Sequence, residues 1–158
     1  MRIQEKYPLV TVLGLAALLA LGVGLGKAAA KSDAAIEFTD VEKQTQEFIQ
    51  YNKTITLTPE QEAIKYEALA DLPAPCCSDR SAYTCCCSCN MAQSWWGLSK
   101  HVIANGGYDA KQVREVVERW FAFINPDGFS GDSCYKGGCA RSFENNGCGG
   151  MDDKNVVF

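Results

Sequence analysis

The sequence is short of the residues that most catalytic centres are built from. It has one histidine, His101, in 158 residues, and neither G-x-S-x-G nor H-E-x-x-H occurs. No hydrolytic site can be assembled from what remains, and the chain reads as a non-enzyme. Positive charge is also scarce: 15 basic side chains face 19 acidic ones. Setting aside the first thirty residues removes Arg2, Lys6, Lys27 and Glu5, leaving 12 basic against 18 acidic. Nucleic acid and anionic membrane surfaces both select basic patches, so neither is expected as a partner of this part. No cysteine precedes Cys76, which excludes a lipid-modified N-terminal cysteine.

Charge is absent altogether from residues 8–26, "PLVTVLGLAALLALGVGLG". The run exceeds the roughly 7–15 residues of a signal-peptide core and approaches the roughly 20 that a helix needs to cross a bilayer. Arg2 and Lys6 before it favour an inside N-terminus, whereas Ala28, Ala29 and Ala30 after it have the small-residue character of a cleavage site. Whether it is a retained anchor or a cleaved signal, the remainder of the chain is expected outside the cytoplasm, periplasmic or at the cell surface. Gly22 and Gly26 form a G-x-x-x-G step that lets membrane helices approach, although glycine is common in such segments anyway. The membrane is a partner through residues 8–26 if these are kept, and another membrane protein is a candidate partner.

The exported part, residues 31–158, reads as one mainly α-helical, Cys-rich domain with long irregular loops. Thr39 with Glu42 marks a helix start over "FTDVEKQTQEFIQYNK", followed by a strand-like or extended "TITLT" at residues 54–58. Thr58, Pro59 and Gln61 form a stronger start signal, and "LPAP" at residues 72–75 ends the helix near Ala70. Asn90 with Gln93 predicts a helix to about Ala104, with Met91, Trp95, Leu98 and Val102 on one face and Asn105-Gly106-Gly107 as its stop. Asp109 with Gln112 opens a last helix whose buried face is Val113, Val116, Val117, Trp120 and Ile124. The short connection between these two predicts an antiparallel hairpin. Beyond Pro126 the chain is Gly- and Asn-rich and reads as a loop held by sulfur chemistry.

Cysteine is abundant where the rest is thin. All nine lie in the last 83 residues, six of them within residues 76–89. An exported chain of this density invites a disulfide framework. Against it, adjacent residues have Cα atoms about 3.8 Å apart while disulfides span about 4.4–6.8 Å. Cys76–Cys77 and the neighbours among Cys85, Cys86 and Cys87 therefore need distant partners, and nine is odd. A metal centre explains the crowding better, because thiolates close in sequence can converge on one ion or share several, and soft sulfur selects Cu(I), Zn or iron–sulfur clusters. Cys76, Cys77, Cys85, Cys86, Cys87 and Cys89 are the candidate ligands. The helix start after Cys89 favours negative sulfur.

Among metals, zinc wants two separated knuckles, and only Cys134-x₄-Cys139 comes near a second one. The C-x₂-C-x₂-C run of iron–sulfur proteins is missing. Copper is the first choice in an exported setting, although Gln93 stands where a dinuclear oxidase-type site would place histidine. Met91 and His101 are auxiliary soft-ligand candidates, with core packing and helix-dipole complementation as their competing roles. Cys134, Cys139 and Cys148 are disulfide candidates, and Cys148 with Met151 can also fold onto the metal loop. The alternatives to a metal protein are a disulfide-stapled interaction module, such as an accessory subunit of a membrane complex, and a thiol-redox protein. The latter lacks the strand–helix context of a thioredoxin-like site.

"LADLPAPCCSDRSAYTCCCSCNMAQSWWGLSKHVI" followed by "GGYDAKQVREVVERW" resembles the exported bacterial proteins named for a PCYCGC motif, over roughly residues 66–124. The loop here reads PCC…CCCSC, the family's second C-x-x-C, after its central region, has no counterpart before Cys134, and the family's usual lipoprotein cysteine is absent. The resemblance implies an exported, Cys-centred helical protein of unassigned function, with metal binding the usual suggestion. It transfers no catalytic residue.

Overall fold

Asp40 begins the helical part of the chain: its carboxylate accepts from the Lys43 amide and starts α1, Val41–Thr54. This is one residue later than the Thr39–Glu42 pairing predicts. Gln44 causes the shift by folding back, its side-chain oxygen accepting from the amides of both Thr39 and Asp40. The structure, a computed structural model, describes residues 36–129 and 131–158. The predicted anchor or signal at residues 8–26 and its Gly22–Gly26 step lie outside the described residues. No helix among the described residues is long and apolar enough to cross a membrane.

Thr58 caps α2, Pro59–Leu69, in a reciprocal box with Gln61, and Asp109 does the same with Gln112 for α4, Ala110–Ile124. Both starts are where the sequence predicts them, because a capping box is satisfied entirely by local residues. Residues 55–57 between α1 and α2 form no strand, and no strand occurs among the described residues. The face of α4 that carries Val113, Val116, Val117, Trp120 and Ile124 is buried throughout. The domain is mainly helical and Cys-rich, in agreement with the composition.

The third helix, α3, spans Asn90–His101 and passes into a π-turn, Val102–Gly106, that Gly107 closes in the left-handed conformation. Its main neighbour is α1 rather than the sequence-adjacent α4. Gly97 is the reason. A Cβ at that position would overlap the Phe48 carbonyl oxygen and stand 2.7 Å from the Asn52 nitrogen, so the missing side chain lets α1 and α3 touch backbone to backbone. Lys100 reinforces the contact by donating to the Asn52 carbonyl at 2.6 Å. Trp120 completes the core, edge-on to Phe48 at 4.9 Å, with its indole N–H on Ser94 Oγ at 2.9 Å.

Asn90 does not cap α3 with its side chain. Cys89 is the cap residue and makes no side-chain capping bond. The orphan amides of Asn90 and Met91 are taken instead by backbone carbonyls of the C-terminal loop, Gly150 at 2.9 Å and Cys148 at 3.0 Å. Asn90 Nδ2 donates to the Gly149 and Asp152 carbonyls at 2.7 and 2.9 Å. A tertiary partner has thus displaced the local one the sequence pattern suggests. Replacing Asn90 with alanine removes both side-chain bonds, although the Gly149 and Asp152 carbonyls keep the Val157 and Asn155 amides as donors, and the two lost bonds together cost about 1–3 kcal/mol. Chemical denaturation with an unchanged m-value is the expected readout.

Candidate metal centre

Two loops carry all nine cysteines. The first joins α2 to α3. Amide bonds from Ala74 to the Arg80 carbonyl (2.9 Å) and from Ala82 to the Leu72 carbonyl (2.7 Å) fold its first half into a narrow turn with Cys76 and Cys77 near the tip. Ala82 O then accepts both indole N–H groups of α3, Trp95 at 3.0 Å and Trp96 at 2.8 Å. The turn is thereby fastened to the helix after the "CCCSC" run. The second loop comes after α4 and lies across the first, with the Cys134 amide donating to the Cys76 carbonyl at 3.0 Å, while within the second loop the Cys148 amide donates to the Gly138 carbonyl at 2.8 Å. Tyr135 adds a side-chain tie, its hydroxyl 2.6 Å from Asp79 Oδ1. That bond holds Asp79 below the usual carboxylate range and lifts Tyr135 to about 12.

Where the loops meet, three sulfurs form a triangle. Cys87 lies 3.2 Å from Cys134, Cys134 lies 3.4 Å from Cys139, and Cys139 lies 3.6 Å from Cys87. All three are half-buried, and among the described residues they are the one set of three or more ligating side chains gathered closely enough to hold one ion. An ion bonded to sulfur at about 2.3 Å holds its ligands about 3.8–4.0 Å apart. The triangle is smaller by a few tenths of an ångström, a gap that side-chain rotation closes. All nine cysteines are free thiols.

The remaining sulfurs adjoin the triangle. Cys86, the one exposed thiol, is 3.9 Å from Cys87. Cys77 stands 4.0 Å from Cys76. Cys76, Cys85, Cys89 and Cys148 are buried deeper in the same two loops, less tightly gathered than the triangle. Cys134, Cys139 and Cys148, which the sequence suggests as disulfide candidates, therefore sit among the sulfurs of the first loop. Cys86 and Cys89 form a C-x-x-C that is easily overlooked inside the longer run. Burial separates its ends, since Cys86 faces solvent and Cys89 is fully buried.

The auxiliary candidates are placed differently. Met91 is fully buried in the hydrophobic core. His101 stands at the far end of α3, about 16 Å along the axis from Asn90 at 1.5 Å per residue. There it stacks on Tyr51 with ring centres 4.2 Å apart, near Asn105, and burial lowers its basicity. Met151 is exposed.

Thiol contact and burial hold several of these cysteines in the neutral form. Contact with Cys148 raises Cys76, contact with Cys76 raises Cys85, and contact with Cys134 raises Cys87, while burial leads for Cys77 and Cys139. In the metal-free reduced protein these groups therefore ionise later when folded than at the ordinary thiol value of 9.0. The stability they contribute is complete below that value and is lost as pH rises through it, because only the unfolded chain then releases its protons. Thermal melts of reduced, metal-free protein are expected to be level in neutral buffer and to fall above about pH 9.

Comparison with protein-family models, with curated proteins and with solved structures returns no match for this chain.

Proposed function

We propose that the chain is an extracytoplasmic soft-metal-binding protein, held at or released from a membrane by residues 8–26. In this reading Cys87, Cys134 and Cys139 bind Cu(I) for storage, delivery or sensing. The observation that carries the reading is the triangle itself: three thiols, 3.2–3.6 Å apart, brought together from two loops. Three equivalent sulfurs suit a trigonal monovalent ion, and thiolate is the ligand soft metals select. Structural zinc takes four ligands, and no fourth group among the described residues completes the set. An iron–sulfur cluster distributes its cysteines over separate irons, which so tight a triangle does not suit. The uncharged run at residues 8–26 supports the location, and the resemblance to the PCYCGC proteins is consistent with it.

The test is elemental analysis of protein purified anaerobically from its native source, paired with thiol titration after denaturation. Stoichiometric metal and free thiols once it is stripped are the expected result. A second reading, the disulfide-stapled interaction module, draws on the same proximity, since Cys87 and Cys134 need only a small movement to oxidise. Absence of metal together with one free thiol or none would overturn the metal reading in its favour.

A further inference from the structure

Eight of the nine cysteines belong to the hydrophobic core or pack against it, and Cys86 is the exception. The backbone explains its position. Residues 84–89 alternate, with Thr84, Cys86 and Ser88 exposed, Cys85 and Cys89 buried, and Cys87 half-buried. Side chains along an extended segment point to opposite sides in turn, which puts Cys86 on the solvent side of the "CCCSC" run. Core packing does not account for it, and neither does a disulfide, since its thiol is free. A free thiol open to solvent is a liability, subject to oxidation and stray pairing. Serine, as at position 88, would suit the surface better. Yet the Cys86 sulfur stands 3.9 Å from that of Cys87, a corner of the triangle. That matches the roughly 3.8–4.0 Å at which two thiolates share one ion.

We propose that Cys86 is the entry ligand of the centre, taking Cu(I) from an incoming thiolate complex and passing it through Cys87 to Cys134 and Cys139. This rests on the soft-metal reading of the triangle. The three triangle sulfurs are half-buried, so a complex arriving from solvent meets Cys86 first. Cu(I) carried by a small thiol is held through two S–Cu bonds. Cys86 forms a bond to copper as one donor sulfur leaves, and its proton goes to the departing thiolate. Cys87 displaces the other donor sulfur in the same way, so that the ion spans Cys86 and Cys87. Cys134, 3.2 Å from Cys87, then bonds to the ion and releases its proton to solvent. Cys139 displaces Cys86 and hands its proton to the Cys86 sulfur. Copper remains Cu(I) throughout, and no electron moves. Cys86 is not a resident ligand, because the set gathered closely enough for one ion is Cys87, Cys134 and Cys139. A group that lies only on the path alters loading and release by the same factor and leaves the equilibrium constant unchanged.

The test compares the full, reduced chain with its Cys86→Ser and Cys86→Met variants, anaerobically. Stopped-flow absorption follows loading from a Cu(I)–glutathione complex and release to a chromogenic Cu(I) chelator, and the same chelator at equilibrium gives the affinity. Serine supplies a hard donor and is expected to slow loading and release at least about tenfold each, with affinity within about threefold of native. Methionine keeps a soft donor and should restore most of both rates, which a structural role would not predict. Native rates in the serine variant overturn the proposal. Equally slow transfer with methionine also rejects it, since the softness of the donor would then be irrelevant. Affinity lost as severely as on removal of Cys134 would make Cys86 a resident ligand and overturn the entry role while leaving the metal reading intact. A native chain that binds no copper at all overturns both.

Discussion

Serine in place of Cys134 is expected to weaken copper binding at the triangle at least about 100-fold. Loss of a group that merely orients a ligand already costs about 10–100-fold in metal affinity, and here a ligand itself is removed. Cys134 is the choice because it contacts Cys87 at 3.2 Å and Cys139 at 3.4 Å, the two shortest sides of the triangle. Its oxygen replacement is a hard donor of smaller radius, mismatched to a soft ion. Competition against a chromogenic Cu(I) chelator measures the effect, with far-ultraviolet circular dichroism as the control. Helix content should hold, since α1 to α4 lie outside the loop that carries Cys134. Binding equal to that of the native chain would show that the triangle is not the site.

Alanine at Gly97 should destabilise the fold more than any helix-propensity scale suggests. By intrinsic preference the change gains about 1 kcal/mol, since glycine is the poorer helix former. The new methyl group, however, meets the Phe48 carbonyl and the Asn52 amide of α1, both backbone and unable to rotate away. Overpacking usually costs about 1–3 kcal/mol, and more when backbone must move. The net loss is therefore expected at about 2 kcal/mol or above, lowering Tm by roughly 5–10 °C in a domain of this size. The separation of α1 from α3 should also break the Lys100 bond to Asn52. A Tm at or above the native value would mean that the two helices do not approach as described.

How far the sequence reveals the structure depends on how local each cause is. The starts of α2 and α4 are legible because Thr58–Gln61 and Asp109–Gln112 satisfy each other within one turn. The buried stripe of α4 is legible because its spacing alone defines a face. Asn90–Gln93 shows the opposite case. The pattern matches a cap, but carbonyls some sixty positions away supply the bonds, and nothing near Asn90 records them. The partnership of α1 with α3 is likewise hidden, since a glycine inside a helix marks a close approach without saying to what.

The candidate site divides the same way. The first loop stands out by its crowding. Its junction with Cys134 and Cys139 does not, because those residues lie 47 and 52 positions from Cys87 and come together only once both loops are laid across one another. The one hint is the near-knuckle spacing of Cys134 and Cys139. Cys148 gives still less, since a stapled turn accounts for it equally well until the amide ladder from Gly138 to Met91 is seen.

The 47-residue separation between Cys87 and Cys134 encloses α3, the π-turn and α4. An ion gripping both sulfurs is, in polymer terms, a removable cross-link. Closing a loop of that length withdraws about 4 kcal/mol of entropy from the unfolded chain by the usual cross-link model. Half of the helical domain would then be tethered only while metal is supplied, and a chelator would act on it as a reductant acts on a disulfide. Resistance to proteolysis would thereby become a gauge of how much of that metal the surroundings hold.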